Sequence, residues 1–258
     1  MEEIKLIQGD CLEVMKSLPS QSIDLTVTSP PYDNLRTYNG YSFDFEGIAK
    51  ELYRVTKDGG VVVWVIGDST IKGSETGTSF KQALYFKEIG FNLHDTMIWK
   101  KSNPTPTDPR AGRYTPSFEY MFIFSKEKLK TFNLEKIKCK TAGTIKKSGG
   151  NSSQLKKDGT SRTDRIEKRI GQAVKEHKIL DNVWNLPILR KNYGHPAAFP
   201  EIIAEKHILS WSNESDTVLD CFLGSGTTGK VAKQLNRQFI GIEISLEYLE
   251  IAKNRIYG

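Results

Sequence analysis

Two stretches of this chain carry residues whose types and order could do chemistry. The first is Thr28-Ser29-Pro30-Pro31-Tyr32. The run before it, "SIDLTV", reads as a buried strand, and the two prolines stop it. Pro30 has no N–H and a locked φ, Pro31 repeats the constraint, and each proline pushes the residue before it towards extended geometry. The carbonyls of Ser29 and Pro30 should therefore point in fixed directions at the carboxyl edge of a sheet, where open α/β sheets bind ligands. Tyr32 adds a flat face. Acceptors beside an aromatic platform suit a planar ring bearing an NH₂ group. The plainer reading is a strand terminator with a packed tyrosine.

The second stretch is "DTVLDCFLGSGTTGKVA". A β-branched run ends at Asp220, a Gly224-Ser225-Gly226 turn follows, and a helix should start near Thr227. The glycines permit positive φ and let a ligand come close to the backbone. The next strand ends at Glu243, where an acid can hold both hydroxyls of a ribose. This points to a nucleoside. The spacing GSGTTG also fits GxGxxG, so it does not by itself exclude a dinucleotide. Cys11, Cys139 and Cys221 are far apart, with no CxxC or Cys/His spacing, so the expectation is no metal and reduced thiols in a cytoplasmic protein.

The elements that must position these groups alternate. Residues 4–8 form a strand, and Leu12, Met15 and Leu18 then recur at helical spacing up to Pro19. After the strand at 22–28, Ile48, Leu52 and Val55 mark one helical face, "KDGG" reads as a turn, and "VVVWVIGD" reads as a central strand. A helix over 79–90 stops at Gly90, and strands follow at 91–101 and 119–126. Order returns at "DNVWNLP". A helix over 199–212, the strand to Asp220, the helix after Gly226, a strand at 238–244 and a helix at 245–256 close the chain. This alternation predicts an α/β fold: a doubly wound, mostly parallel sheet with helices on both faces. Residues 1–125 and 181–258 would be its two halves, with an insertion over 126–180.

That insertion sets the charge balance. Residues 126–178 hold 16 Lys/Arg and 6 Asp/Glu, while the chain as a whole has a net charge of +6. All the positive excess lies in one Gly-, Ser- and Lys-rich stretch without a period. A polyanion such as nucleic acid explains this, because basic side chains neutralise phosphates. A solvated basic insert is the alternative. No apolar run is long enough to span a bilayer, and the acidic N-terminus does not read as a signal peptide.

In this order, TSPPY before DCFLGSGTTG, the chain resembles the S-adenosylmethionine-dependent DNA amino-methyltransferases in their β-type arrangement. "GDCLEVM", "HPAAFPEIIAEKHI" and "GIEISLEYLEIAKNRI" support the likeness, which covers nearly everything except about 130–180. The resemblance implies a Rossmann-like methyltransferase fold with a target-recognition insertion, and it implies roles. Gly224, Ser225, Gly226, Thr227 and Thr228 would cradle the methionine part of S-adenosylmethionine, with Asp220 and Phe222 at the pocket mouth. Glu243 would bind the ribose. Asp10 would bond the adenine amine, with Cys11 and Leu12 beside the ring. His195 and Pro196 would complete the methionine pocket, although a lone histidine is also a common structural residue.

An exocyclic amine is a poor nucleophile because its lone pair is delocalised into the ring. Acceptors on its two hydrogens, here the Ser29 hydroxyl and the Pro30 carbonyl, favour a more tetrahedral nitrogen that can attack the sulfonium methyl directly. Tyr32 would stack on a base flipped out of double-stranded DNA. Ring-carbon methylation would need a cysteine after a proline, and none of the three follows one. In the resembled family, SPPY goes mainly with cytosine N4 and DPPY with adenine N6. Lys100, Lys101, Arg110 and Arg113 are candidate phosphate contacts, and Trp99 and Tyr114 offer aromatic faces. A catalytically dead DNA-binding module, an RNA or protein amine substrate and a nicotinamide dehydrogenase are the competing readings. A cognate restriction nuclease and a homodimer are carried as possible partners.

Overall fold

The run Val61 to Ile66 has no polar residue and so no face to offer to solvent. In the computed structural model it forms the second half of β3 (Thr56–Ile66), with all six side chains at most 1% exposed. The structure describes residues 3–31, 43–145, 171–188 and 199–258. In chain order the remaining strands are β1 (Ile4–Gln8), β2 (Ile23–Thr28), β4 (Thr70–Ile71), β5 (Ser74–Glu75), β6 (Asn92–Lys101), β7 (Phe118–Ser125), β8 (Lys136–Lys138), β9 (His177–Ile179), β10 (Val183–Leu186), β11 (Thr217–Asp220) and β12 (Gln238–Glu243). The described helices are α1 (Cys11–Ser17), α2 (Phe45–Val55), α3 (Thr78–Glu88), α4 (Glu201–Trp211), α5 (Thr227–Gln234) and α6 (Leu246–Tyr257).

Eight strands form one sheet in the order β1-β12-β11-β2-β3-β7-β6-β10. Every neighbouring pair is parallel except those of β7, which runs against both β3 and β6. This is the Rossmann-like, mostly parallel architecture expected from the alternation of strands and helices. Helix starts follow from local chemistry. Asp10, Asp44 and Ser245 cap α1, α2 and α6 through their side chains. Helix α3 begins after Gly77, which has no side chain to cap with. Asp68 does the job from the loop after β3, accepting from the Ser79 backbone N–H at 2.9 Å.

Helix α2 turns Ile48, Ala49, Leu52 and Val55 inward, and all four are buried. They join a core centred on Trp64, whose indole N–H donates to Gln82 at 2.8 Å and whose ring meets Phe45, Phe86 and Phe222. Truncating a fully buried side chain such as Leu52 to alanine should cost about 2–5 kcal/mol.

The "KDGG" turn is a correction. Strand β3 already starts at Thr56, paired with Ile23, and runs through both glycines. Gly59 has φ +85, and the register slips there between Ile23 and Leu25. A Cβ on Gly60 would lie 2.9 Å from the Asp24 carbonyl. The glycines therefore make a bulge within a strand.

The chain divides into two compact units, Met1–Asn133 with Asn182–Gly258, and Leu134–Asp181. The second contains the antiparallel ribbon β8–β9, paired Lys136 to Ile179 and Lys138 to His177. Among the described residues, no helix is long and apolar enough to cross a membrane, and no group of three or more His, Cys, Asp or Glu could hold a metal.

Candidate active site

Strands β2 and β11 are neighbours, but the chain leaves them in opposite directions. From β2 it passes through α2 to β3, and from β11 through α5 to β12 on the other side. Diverging crossovers open a crevice at the carboxyl ends of the two strands. Both sequence motifs lie at that crevice. Ser29, Pro30 and Pro31 follow β2, and Cys221 to Gly226 follow β11. The Thr28 hydroxyl donates to Asp220 Oδ1 at 2.6 Å, bridging residues 192 apart in sequence. The Thr228 hydroxyl donates to the Val27 carbonyl at 3.2 Å. Pro30 is buried, and Ser29 and Pro31 are half-buried.

The glycine turn is held from several sides. Gly224 and Gly226 have φ +50 and +78. A Cβ on Gly226 would sit 2.9 Å from the Ala252 Cβ and 3.0 Å from its Cα, so α6 packs directly on the turn. The Gly224 N–H donates to Glu243 Oε2 at 2.8 Å, and the Ser245 N–H donates to Oε1 at 3.0 Å. The Phe222 N–H donates to Asp220 Oδ1 at 3.1 Å. Ser225, Thr227 and Thr228 are buried.

Burial pushes the Asp220 carboxyl up to about 6, against the hydrogen bonds from the Thr28 hydroxyl and the Phe222 N–H, and Glu243 raises it further. Burial also raises Glu243, partly offset by the backbone N–H groups of Ser245 and Gly224. Two buried acids beside a glycine turn favour a ligand that brings positive charge, because a cation relieves the cost of ionising them. Each carboxylate still has lone pairs for hydroxyl donors. This set of acceptors fits a nucleoside bearing a cationic sulfur and an ammonium group.

The side wall is formed by β1 and α1. The Gly9 N–H donates to the Glu243 carbonyl at 3.0 Å, which brings Asp10 beside the end of β12. Asp10 Oδ1 accepts from the Leu12 and Glu13 N–H groups at 2.9 and 3.2 Å, so this carboxylate also caps α1. Leu12 packs on the core. Cys11 is buried, and burial followed by Asp10 pushes its thiol up to about 12; Cys221 is held well above the usual thiol range by burial. Neither is a thiolate nucleophile at neutral pH. Phe222 packs edge-on against Phe43, with centroids 5.7 Å apart. Tyr32, His195 and Pro196 lie outside the described residues.

The candidate phosphate contacts separate into two groups. Lys100 is exposed, and Tyr114 is fully exposed at 100%. The others already have partners. Lys101 pairs with Glu119 at 2.7 Å and lies over the Trp99 ring. Arg110 pairs with Asp108. Arg113 donates to the Gly73 carbonyl and pairs with Glu75 at 3.6 Å.

Two residues at the crevice escaped the sequence reading. Thr28 stood inside the quoted motif, but nothing in sequence showed it facing Asp220. Arg255 binds the glycine turn from α6, and its signal was a cation in a helix whose neighbours Ala252 and Ile256 are buried.

Comparison with known proteins agrees with this geometry. A family model described as DNA methylase, of the N6/N4 methyltransferase type, matches residues 23–254. The orphan methyltransferase M.BamHII of Bacillus amyloliquefaciens is 54% identical over 256 residues, covering 96% of this chain and 90% of that protein. The Thermus thermophilus protein TTHA0409, solved in complex with S-adenosyl-L-methionine, is 26% identical with a TM-score of 0.64, covering 98% of this chain and 94% of that one. PvuII DNA methyltransferase, described as cytosine-N4-specific, shares the fold at a TM-score of 0.71 and 22% identity, over 99% of this chain and 86% of that one.

Proposed function

This chain belongs to the N6/N4 DNA methylase family, and from that premise we propose that it methylates the N4 amine of cytosine in a base flipped out of double-stranded DNA. DNA methyl transfer from S-adenosylmethionine is the activity of the family. When bound, S-adenosylmethionine supplies an electrophilic methyl group on a cationic sulfur. The observation that carries the reading is the Thr28–Asp220 bond, which joins the end of the proline corner to the strand that feeds the glycine turn.

In this reading Ser29 Oγ and the Pro30 carbonyl accept the two amine hydrogens and orient the nitrogen lone pair. Tyr32 stacks on the base. Gly224 to Thr228, Asp220 and Phe222 hold the methionine end of the cofactor together with His195 and Pro196. Glu243 takes the ribose hydroxyls, and Asp10 takes the adenine amine beside Cys11 and Leu12. The raised thiols of Cys11 and Cys221 argue against covalent attack on a ring carbon. A neutral Ser29 is a weaker acceptor than aspartate, which favours cytosine over adenine as the sequence pattern suggests.

Lys100, Arg110, Arg113 and Tyr114 are all exposed, the two arginines with surface carboxylate partners, and the basic insertion over 126–180 is proposed as the target reader. On ribbon β8–β9, Lys136, Lys138, His177 and Ile179 are exposed and share one face, because directly opposed residues in an antiparallel pair point the same way. A two-stranded ribbon is narrow enough for the major groove. A cytoplasmic location, a homodimer and a cognate restriction nuclease belong to the same proposal.

Mass spectrometry of nucleosides from DNA treated with the protein and S-adenosylmethionine tests the target. N4-methylcytosine is expected. N6-methyladenine would replace the cytosine reading with the adenine one, and failure to bind S-adenosylmethionine, with no methylated base, would leave a dead DNA-binding module. Methylome sequencing of the same DNA gives the recognition site.

A further inference from the structure

The glycine turn contains two residues in positive-φ conformation, and such a turn is costly to order because glycine gives up the most conformational freedom. Its own backbone contributes the Gly226 N–H to the Leu223 carbonyl at 2.9 Å, and α5 begins at Gly226 without a side-chain cap. Arg255 braces the turn from outside, through its hydroxyls. Its side chain comes from the last turn of α6 and is 8% exposed. Arg255 Nη1 donates to Ser225 Oγ and Thr227 Oγ1, both at 2.9 Å, and lies 3.4 Å from the Ser225 carbonyl.

The guanidinium is itself held in place. Arg255 Nη2 donates to Glu201 Oε1 at 2.7 Å, and Lys230 Nζ reaches both oxygens of the same carboxylate at 2.9 and 3.1 Å. Glu201 is the first residue of α4, Lys230 lies on α5 and Arg255 on α6. One carboxylate thus ties three helices to the turn. Burial would raise Glu201, but Arg255 and then Lys230 outweigh it and hold the carboxyl below the usual range, so the network is ionised at neutral pH. A planar guanidinium can bridge Ser225, Thr227 and Glu201 at once; an ammonium on a flexible stem cannot match that fork.

We propose that Arg255, held by Glu201, is a positioning residue that preorganises the Ser225–Thr227 turn for S-adenosylmethionine. This rests on the reading of the turn as the cofactor site. With Arg255 in place, the ordering cost is met on folding; without it, the cost falls on cofactor binding. The defect should therefore appear in cofactor affinity and leave the chemical step alone.

The test is calorimetric titration of S-adenosylmethionine into the full chain without DNA, together with steady-state kinetics and thermal melts. Arg255→Met should raise Kd about 10- to 100-fold, the size expected for losing bonds to a charged donor. The KM for the cofactor should rise in parallel, while kcat and the KM for DNA stay within about twofold. Arg255→Lys should fall between the two. A lower melting temperature with unchanged Kd, or a lower kcat with unchanged cofactor KM, overturns the proposal and leaves Arg255 a purely structural residue. If Arg255→Met does not fold, Glu201→Gln, which loosens the guanidinium without altering the turn, is read the same way, and an unchanged Kd is again fatal. Glu243→Gln separates the two readings. If it weakens binding while Arg255→Met does not, only the role of Arg255 falls. If it leaves Kd unaltered, the turn is not the cofactor site.

Discussion

The crevice between β2 and β11 and the ribbon β8–β9 use charge in opposite ways. At the crevice, Asp220 and Glu243 are buried, and each accepts hydrogen bonds from groups far along the chain or from the turn backbone. On the ribbon, Lys136, Lys138, His177 and Lys178 are exposed. A buried acid in a low dielectric is worth much to a ligand that matches it and costs much otherwise. An exposed lysine costs little and works by number, through released counterions. In the proposed function the crevice holds one small cation in one pose. The ribbon suits a long polyanion that can bind in many registers until base contacts choose one.

The sharpest way to break this comparison is at the proline corner. Ser29→Ala should lower kcat by about 10²–10³ while cofactor affinity stays unchanged, as for loss of one preorganised group at a reacting centre. Transfer of labelled methyl to DNA measures it, and a fall below twofold would remove Ser29 from the chemistry. Next comes Gly226→Ala, whose new methyl meets the Ala252 backbone at a φ of +78. It should weaken S-adenosylmethionine about 10- to 100-fold and lower the melting temperature, since strain and overpacking each cost about 1–3 kcal/mol.

A third prediction concerns pH. Asp220 titrates at about 6 in the folded protein against an ordinary value of 3.8. Its ionised form is disfavoured by burial, so it costs stability above pH 6, and that cost is relieved as pH falls towards 4. A cationic ligand prefers the ionised form, so cofactor affinity should move the other way, falling up to about tenfold per pH unit below 6. Calorimetry at several pH values checks this, and Asp220→Asn should flatten the profile.

The smallest effect belongs to the ribbon. Lys136→Ala with Lys138→Ala should weaken DNA binding several-fold and reduce the salt slope by about 2, one for each phosphate no longer neutralised. Cofactor affinity should not change. Fluorescence anisotropy across a salt series decides it, and an unchanged slope would mean the ribbon does not touch phosphate.

Much of this was legible in one dimension. The β-branched run 61–66, the apolar face of α2 and the turn at 224–226 announced themselves because each is a local pattern with one good physical solution. The strand through "KDGG" did not, because a double glycine is a turn signal until a partner strand pulls it into a bulge. Arg113 and Lys101 looked like free cations, since a sequence does not show that Gly73 and Glu75, or Glu119, lie within reach.

What the sequence by itself determined is the inventory and its order: a rigid proline corner, a glycine turn, an acid at the end of the strand that follows it, and a basic segment set apart from both. Which groups face each other was decided only when the strands took their places in the sheet. The Thr28–Asp220 bond and the bridge from Arg255 to Ser225 join residues whose separation in the chain leaves no local trace. Their directions come from the sheet order and from helix packing, and these are set by burial of the whole core.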